Sequence, residues 1–281
     1  MKSILPFVET MITQACNISC TGCTNYSDLI HSGYQTWEQG RAELEPWLER
    51  IDIPDFGIIG GEPLMNPSVR SWIIGLRDLL PRSQLRFTTN ALLLERNFDI
   101  VDLLAGVGNC VLKITVHMNS PELDNVIQQI MSKFTWEPVC EYGINRFKTV
   151  NNFKFQINRP KIFTKSFQGT YKNMYPHSNV PENAFDVCSQ KTCPLLYKGK
   201  IYKCSTSALL ADTLARFNWP NSKEWQPYLI PGLTADCSEV ELQQVIGNFN
   251  QPHAMCAMCP SQKNTDSFLI HYDHVSKKKH V

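Results

Sequence analysis

The sequence has almost no charge of one sign to spare: 27 basic residues stand against 26 acidic ones in 281, a formal net charge of +1. That balance argues against an extended nucleic-acid surface, which needs a basic excess or a basic stripe. The one tight basic run, Lys277-Lys278-Lys279, reads as a solvated tail. No stretch approaches the ~18 to 20 apolar residues of a membrane-crossing helix, so no membrane partner is expected. The opening Ile4-Leu5-Pro6-Phe7-Val8 is too short for a secretory core, broken by Pro6 and closed by Glu9-Thr10. Internal repeats and low-complexity segments are missing too. With 43% hydrophobic and 19% charged residues the chain lies far from the composition of disorder. It can bury a sizeable core as one large domain or two modest ones.

Cysteine is what the chain has in excess, eleven in all. A small secreted protein would use them as a disulfide framework, but a chain of this size needs none. The expectation is a cytoplasmic protein in a reducing compartment whose thiols hold metal. They fall in two groups: Cys16, Cys20 and Cys23 near the start, and Cys188, Cys193, Cys204, Cys237, Cys256 and Cys259 in the last third. Cys110 and Cys140 lie between.

Hydrophobic periodicity predicts an α/β fold. Strands are expected at 7–13, 56–59, 85–89 and 111–116, and helices at 36–51, 67–80, 98–105 and 121–134. Further strands are expected at 142–147 and 153–157, followed from about Ser166 by a linker rich in Tyr, Asn and Pro. Such alternation implies a parallel sheet wrapped by helices, whose ligands gather at the C-terminal strand ends. The informative residues fall at those ends: the first cysteines after strand one, Gly60-Gly61-Glu62-Pro63 after strand two, Asn90 after strand three, and Thr115 to His117 at strand four.

Cys16, Cys20 and Cys23 are no helical stripe, because Asn17, Ser19, Thr21 and Gly22 between them are poor helix formers. A loop offering three thiolates suits an iron–sulfur cube, in which each iron takes one. A structural zinc would want a fourth ligand, for which His31 is the only neighbour in sequence. Three thiolates on four irons leave one iron open to a ligand that is not protein.

The C-x3-C-x2-C run after the first strand, with Gly60-Gly61-Glu62-Pro63 after the second, resembles the radical S-adenosylmethionine (radical SAM) superfamily. The resemblance implies a partial (β/α)6 barrel over residues 1–175 in which Cys16, Cys20 and Cys23 hold a [4Fe–4S] cluster. The open iron would chelate S-adenosylmethionine, with Gly60, Gly61, Glu62 and Pro63 at its methionine amino group. Two glycines let backbone approach a ligand without a Cβ clash, and Pro63 stiffens the exit. Glu62 is expected to make a local hydrogen bond and no acid–base step. Gly22 departs from the pattern, since many members carry an aromatic residue there. Asn90, in Thr88-Thr89-Asn90-Ala91, resembles the strand-three Thr-Thr-Asn of relatives. Thr115 and His117 lie where relatives approach the cofactor ribose, and Arg159 is expected at the surface.

In the last third, Leu195 to Tyr197 and Lys200 to Tyr202 flank Gly199 as a β-hairpin, and Cys256-Ala257-Met258-Cys259 is a C-x2-C knuckle. Spacing alone admits zinc or iron–sulfur. Cys188, Gly199 and Cys204 with the later knuckle resemble the SPASM/Twitch extensions of radical SAM enzymes. A full SPASM domain uses seven cysteines. Only six remain from Cys188 onward and none follows Cys259, so the shorter Twitch form, with one auxiliary [4Fe–4S] cluster, is expected over 176–270, leaving 271–281 as a tail. Its ligands would be Cys204, Cys256, Cys259 and one of two others. Resemblance to the hairpins of small relatives favours Cys193, while spacing to Gly199 selects Cys188. Cys110 reads as a buried core residue, Cys140 and Cys237 as candidate hydrogen-atom donors, and His253 as structural.

The resemblance implies reductive cleavage of S-adenosylmethionine to a 5′-deoxyadenosyl radical that abstracts hydrogen from a substrate carbon. A peptide or protein substrate is expected first, for oxidation, crosslinking or epimerisation, and a small carbohydrate or alcohol second. With its first cysteine at Cys16 the chain is expected to lack the N-terminal peptide-recognition domain of many peptide-modifying relatives, so a peptide would need a separate recognition protein or a fit along the aromatic stretch Phe163 to Tyr175. Flavodoxin or ferredoxin would donate electrons. The rival from another class is a non-enzymatic iron–sulfur carrier or zinc module.

Overall fold

Strand and helix alternate along the chain much as the periodicity demands. The computed structural model describes residues 2–20, 22–29, 32–117, 120–141, 144–148, 152–159, 165–170, 173–218 and 222–262. In chain order, β1 (Phe7–Met11) leads to α1 (Trp37–Leu48), β2 (Asp55–Ile59) to α2 (Val69–Leu79), β3 (Gln84–Thr89) to α3 (Asp99–Val107), and β4 (Cys110–Thr115) to α4 (Pro121–Lys133). A hairpin of β5 (Glu137–Glu141) and β6 (Ile144–Lys148) precedes β7 (Lys154–Asn158) and α5 (Pro181–Val187). Then come β8 (Leu195–Tyr197), β9 (Lys200–Tyr202), α6 (Ser205–Phe217), β10 (Leu233–Thr234) and α7 (Glu239–Gly247). Local chemistry fixes the helix starts: Thr36 and Gln39 form a reciprocal cap on α1, and Ser120 caps α4 with Pro121 in its first turn.

These ten strands form one sheet in the order β10-β9-β8-β1-β2-β3-β4-β7-β6-β5. Neighbours from β8 through β7 run parallel, and both flanks are antiparallel. Two features differ from expectation. The strand expected over 142–147 begins at Ile144 and pairs with an unforeseen β5. The expected linker contains a small hairpin, Gln168–Thr170 against Asn173–Tyr175. The C-terminal hairpin does not stand apart: Leu195 and Leu196 pair with Glu9 and Thr10, so the sheet runs unbroken across the boundary expected near residue 175.

Side chains alternate across each strand. One face, with Val8, Phe56, Ile58, Phe87, Leu112 and Phe155, packs against α1 to α4 through Trp47, Trp72, Leu76, Leu104 and Ile130. Each such side chain contributes roughly 1.5–3 kcal/mol by leaving water. The other face carries Glu9, Arg86, Lys113 and Gln156. At its β8–β1–β2 end, Leu195, Met11 and Ile59 are covered by Leu209 and Leu210 of α6. Among the described residues no helix is long and apolar enough to cross a membrane.

Candidate active site at the strand-end rim

The β1–β2 ladder continues past the strands into the loops that follow them. The Ile12 N–H donates to the Ile59 carbonyl (2.9 Å), Gly61 N–H to Thr13 O (2.7 Å) and Glu62 N–H to Ala15 O (2.7 Å). A Cβ on Gly61 would lie 2.3 Å from Ala15 O, and one on Gly60 2.8 Å from Thr13 O. These glycines clear room for the backbone of the cysteine loop. Pro63 opens a buried turn over Pro63–Met65.

That loop holds Cys16 and Cys20 in a buried group with Ile18, and Cys23 packs beside them next to Leu92. It runs as successive turns, Cys23 N–H to Cys20 O and Tyr26 N–H to Cys23 O, as the poor helix formers between the cysteines require. Burial pushes the Cys23 thiol up to about 12, with Asp28 and Cys16 adding to the shift. Metal binding there must therefore displace a firmly held proton. Gly22 has φ +77° with Lys165 Cα 3.0 Å from where a Cβ would sit, which leaves no place for the aromatic residue of relatives.

Glu62 is the clamp of the rim. Fully buried, its carboxylate accepts from Thr89 Oγ1 (2.7 Å), Asn90 N–H (2.8 Å) and Leu64 N–H (3.1 Å). It thereby ties the loop after β2 to the loop after β3, the local role expected of it. Burial still pushes its carboxyl up to about 7 against those donors. Asn90 donates to Asn17 Oδ1 (2.7 Å), with its Nδ2 4.0 Å from Cys16 Sγ. His117 Nδ1 lies 3.7 Å from Cys20 Sγ, and burial lowers its imidazole to about 4. Thr115 ends β4 opposite Asn158. Arg159 is a surface residue, ion-paired with Asp124 at 3.9 Å.

In the last third, Cys188, Cys204, Cys256 and Cys259 lie close enough to act on one another's charge. Cys259, pushed up first by burial, is raised further by Cys204, Cys188 and Cys256, and Cys188 and Cys256 likewise act on Cys204. The knuckle is pinned by His177 N–H to Met258 O and Asn179 N–H to Ala257 O, and Asn179 Nδ2 donates to Cys259 O (2.8 Å). Cys193 stands at the margin of this group: after burial, which pushes it up to about 12, Glu9, Lys113 and Arg86 act on it more strongly than Cys204 does. The placement thus favours Cys188 over Cys193 beside the other three. Tyr26, with no exposure, bonds Cys23 O through its N–H while Cys259 and Cys204 act on its phenol. Tyr26 thus joins the two thiol sets, its backbone bonded to the first and its ring within reach of the second.

Cys237 receives Arg50 Nη1 at 3.2 Å. Arg50 follows α1, at the edge of the sheet where the parallel strands begin, so Cys237 is placed at that edge. Cys140 belongs to the sheet's outermost strand β5, its side chain outside what is described, as are His31, Phe163 and the tail 271–281. Cys110 is fully buried and donates to Gly108 O (3.2 Å). His253 caps the knuckle turn through Met255 N–H, a structural role. Among the described residues no three His, Cys, Asp or Glu side chains close around a point that would hold a single metal ion. The thiolates of a cube bind separate irons, so their sulfurs stand further apart than those around one ion.

Burial pushes the Glu9 carboxyl from its ordinary 4.5 up to about 7, against the pull of Lys113 and Arg86. Between those values the unfolded chain has released a proton that the folded chain keeps, so stability falls as pH rises through that window. The apoprotein's stability is expected to fall across it, by on the order of 3 kcal/mol for Glu9, and its thermal midpoint with it. Glu9→Gln should flatten the slope, leaving the share due to Glu62; an identical pH profile in the variant would refute this.

Residues 10–149 match the family model of the Radical SAM superfamily. Among solved structures, BtrN in complex with AdoMet and 2-DOIA aligns over 92% of this chain and 94% of its own, with TM-score 0.51 and 12% identity, a likeness of fold alone. SuiB of Streptococcus suis aligns over 40% of this chain at 18% identity and TM-score 0.34, and its form bound to precursor peptide SuiA over 41% at 17% and 0.35. The chain spans about a quarter of SuiB's length. No curated protein matches the sequence.

Proposed function

Because residues 10–149 form a radical SAM superfamily domain, we propose that the chain is an enzyme that cleaves S-adenosylmethionine reductively and takes hydrogen from a substrate carbon. The observation that carries this reading is the gathering of Cys16, Cys20 and Cys23 beside the Gly60–Pro63 turn where the parallel strands end. Those thiols would hold a [4Fe–4S] cluster, which when bound would supply the electron for the cleavage. The donor set fits it: soft thiolates, three of them, on a non-helical loop. The chain's own part is positional. Gly60 and Gly61 lock the cysteine loop to β2, Glu62 locks Asn90 to the same corner, and Asn90 and Thr115 line the rim for the cofactor.

Cys188, Cys204, Cys256 and Cys259 would hold a second [4Fe–4S] cluster, in the manner of a Twitch extension, and Tyr26 seals the space between the sets. Electrons would come from a flavodoxin or ferredoxin. Of the two substrate classes, a peptide rests on resemblance alone, whereas the polar lining of the open sheet face favours a small hydroxylated molecule.

Anaerobic reconstitution with iron and sulfide, then assay for 5′-deoxyadenosine under a chemical reductant, tests the reading. About eight irons per chain, four for each cluster, and cleavage lost in Cys20→Ala are expected. Zinc in place of iron, or cleavage that survives Cys20→Ala, would favour the non-enzymatic metal protein.

A further inference from the structure

The sheet face turned away from α1 to α4 contains two buried polar side chains that no described residue hydrogen-bonds. Glu9 on β1 is 8% exposed and Gln156 on β7 is 5% exposed. Neither is among the side chains whose polar atoms are sealed off without a partner, so the polar ends of both face open space on this sheet face, where a ligand or water can meet them. Arg86 lies at the level of Glu9 with only Gly57 between them, yet its guanidinium is bound to Asp55. A Cβ on Gly57 would come 2.7 Å from Glu9 Cβ, so the position is kept bare beside the carboxylate. Lys113 pairs in register with Gln156 and its charge reaches Glu9. In a flat sheet three strand spacings, roughly 14 Å, would part Glu9 from Lys113. The long Lys113 and Glu9 side chains therefore reach toward one another across this face.

We propose that this sheet face binds a small, neutral, polyhydroxylated substrate, with the Glu9 carboxylate accepting from one hydroxyl and the Gln156 amide engaging another. Three features select that class. A hydroxyl both donates and accepts, as a carboxylate facing an amide requires. The charges of Arg86 and Lys113 beside Glu9 disfavour a cationic ligand. Gln156 lies one layer nearer the rim than Glu9, about 7 Å along the strands, a span suited to one sugar-sized ring. The cover of α6 over Met11, Ile59 and Leu195 closes the neighbouring end to a long chain. Bound there, the substrate sits directly beneath the cysteine rim. The inference rests on the radical SAM reading for its chemistry, and on Glu9 and Gln156 for its recognition.

Saturation-transfer NMR on the reconstituted full chain, with myo-inositol, glucose and sorbitol as probes and tri-alanine as the peptide comparison, tests it. At least one polyol should bind, and Glu9→Gln should weaken it about tenfold or more, the worth of one hydrogen bond to a charged group. Gln156→Ala, which keeps the carboxylate, should weaken it as well and carries the test should Glu9→Gln fail to fold. The inference is overturned if none of the three polyols binds, if both variants bind as the parent does, or if tri-alanine binds in a Glu9-dependent way. Assay of 5′-deoxyadenosine on the same preparation separates the two readings. Cleavage without polyol binding overturns this inference alone, and Glu9-dependent polyol binding without cleavage overturns the radical reading alone.

Discussion

Cys188→Ser protein, reconstituted anaerobically, should carry about half the iron of the parent, whereas Cys193→Ser should carry the full complement. The difference follows from where α5 delivers its last residue. Cys188 ends that helix, its N–H bonded to Phe185 O, and the segment ahead of α5 is tied to the Cys256–Cys259 knuckle by the His177 and Asn179 backbone bonds. Cys193 lies five residues on, in the turn that enters β8, where Glu9 is its leading charged neighbour. Iron and acid-labile sulfide assays on the two variants decide the matter. Half occupancy in Cys193→Ser with full occupancy in Cys188→Ser would restore the assignment favoured by likeness to small relatives.

Gly61→Ala should abolish S-adenosylmethionine cleavage and destabilise the protein by about 3 kcal/mol or more. The added methyl would meet Ala15 O at 2.3 Å and Ala15 C at 2.6 Å. Both are backbone atoms with no rotamer to yield, so the loops must part, loosening the Gly61–Thr13 and Glu62–Ala15 bonds together. A fall of roughly 6–12 °C in thermal midpoint is the expected scale for a chain of this size. Gly106→Ala is the matched control. Its added Cβ meets nothing within 4 Å, and inside α3 it should be neutral or slightly stabilising. A Gly61→Ala protein as stable and active as the parent would refute the account of the turn.

The rim was legible in sequence because its residues follow strands of clear pattern, and a loop of cysteines split by poor helix formers cannot hide in a helix. The glycine turn was legible as a close approach, but its partner was not, since only strand pairing brings Ala15 against Gly61. β5 escaped notice because Glu137-Pro138-Val139-Cys140-Glu141 carries a proline and two charges; it is tolerated as the outermost strand, where one side needs no partner. Glu9, Lys113 and Gln156 read singly as solvent-facing members of half-buried strands. Their placement on one face depends on the register of β1, β4 and β7, distant in sequence. The choice between Cys188 and Cys193 turned on the packing of α5 against the knuckle, which spacing does not encode.

The pairing of β8 with β1 has a consequence for how the protein matures. β1 leaves the ribosome well before its second neighbour, which lies some 186 residues downstream, the separation of Thr10 from Leu196. Until that strand arrives, β1 presents an open edge directly ahead of the cysteine loop, which invites pairing with other chains. Contacts of such long range are slow to form. Nascent chains should therefore depend on chaperones that shield this edge, and iron is best delivered only after the last third of the polypeptide has been made.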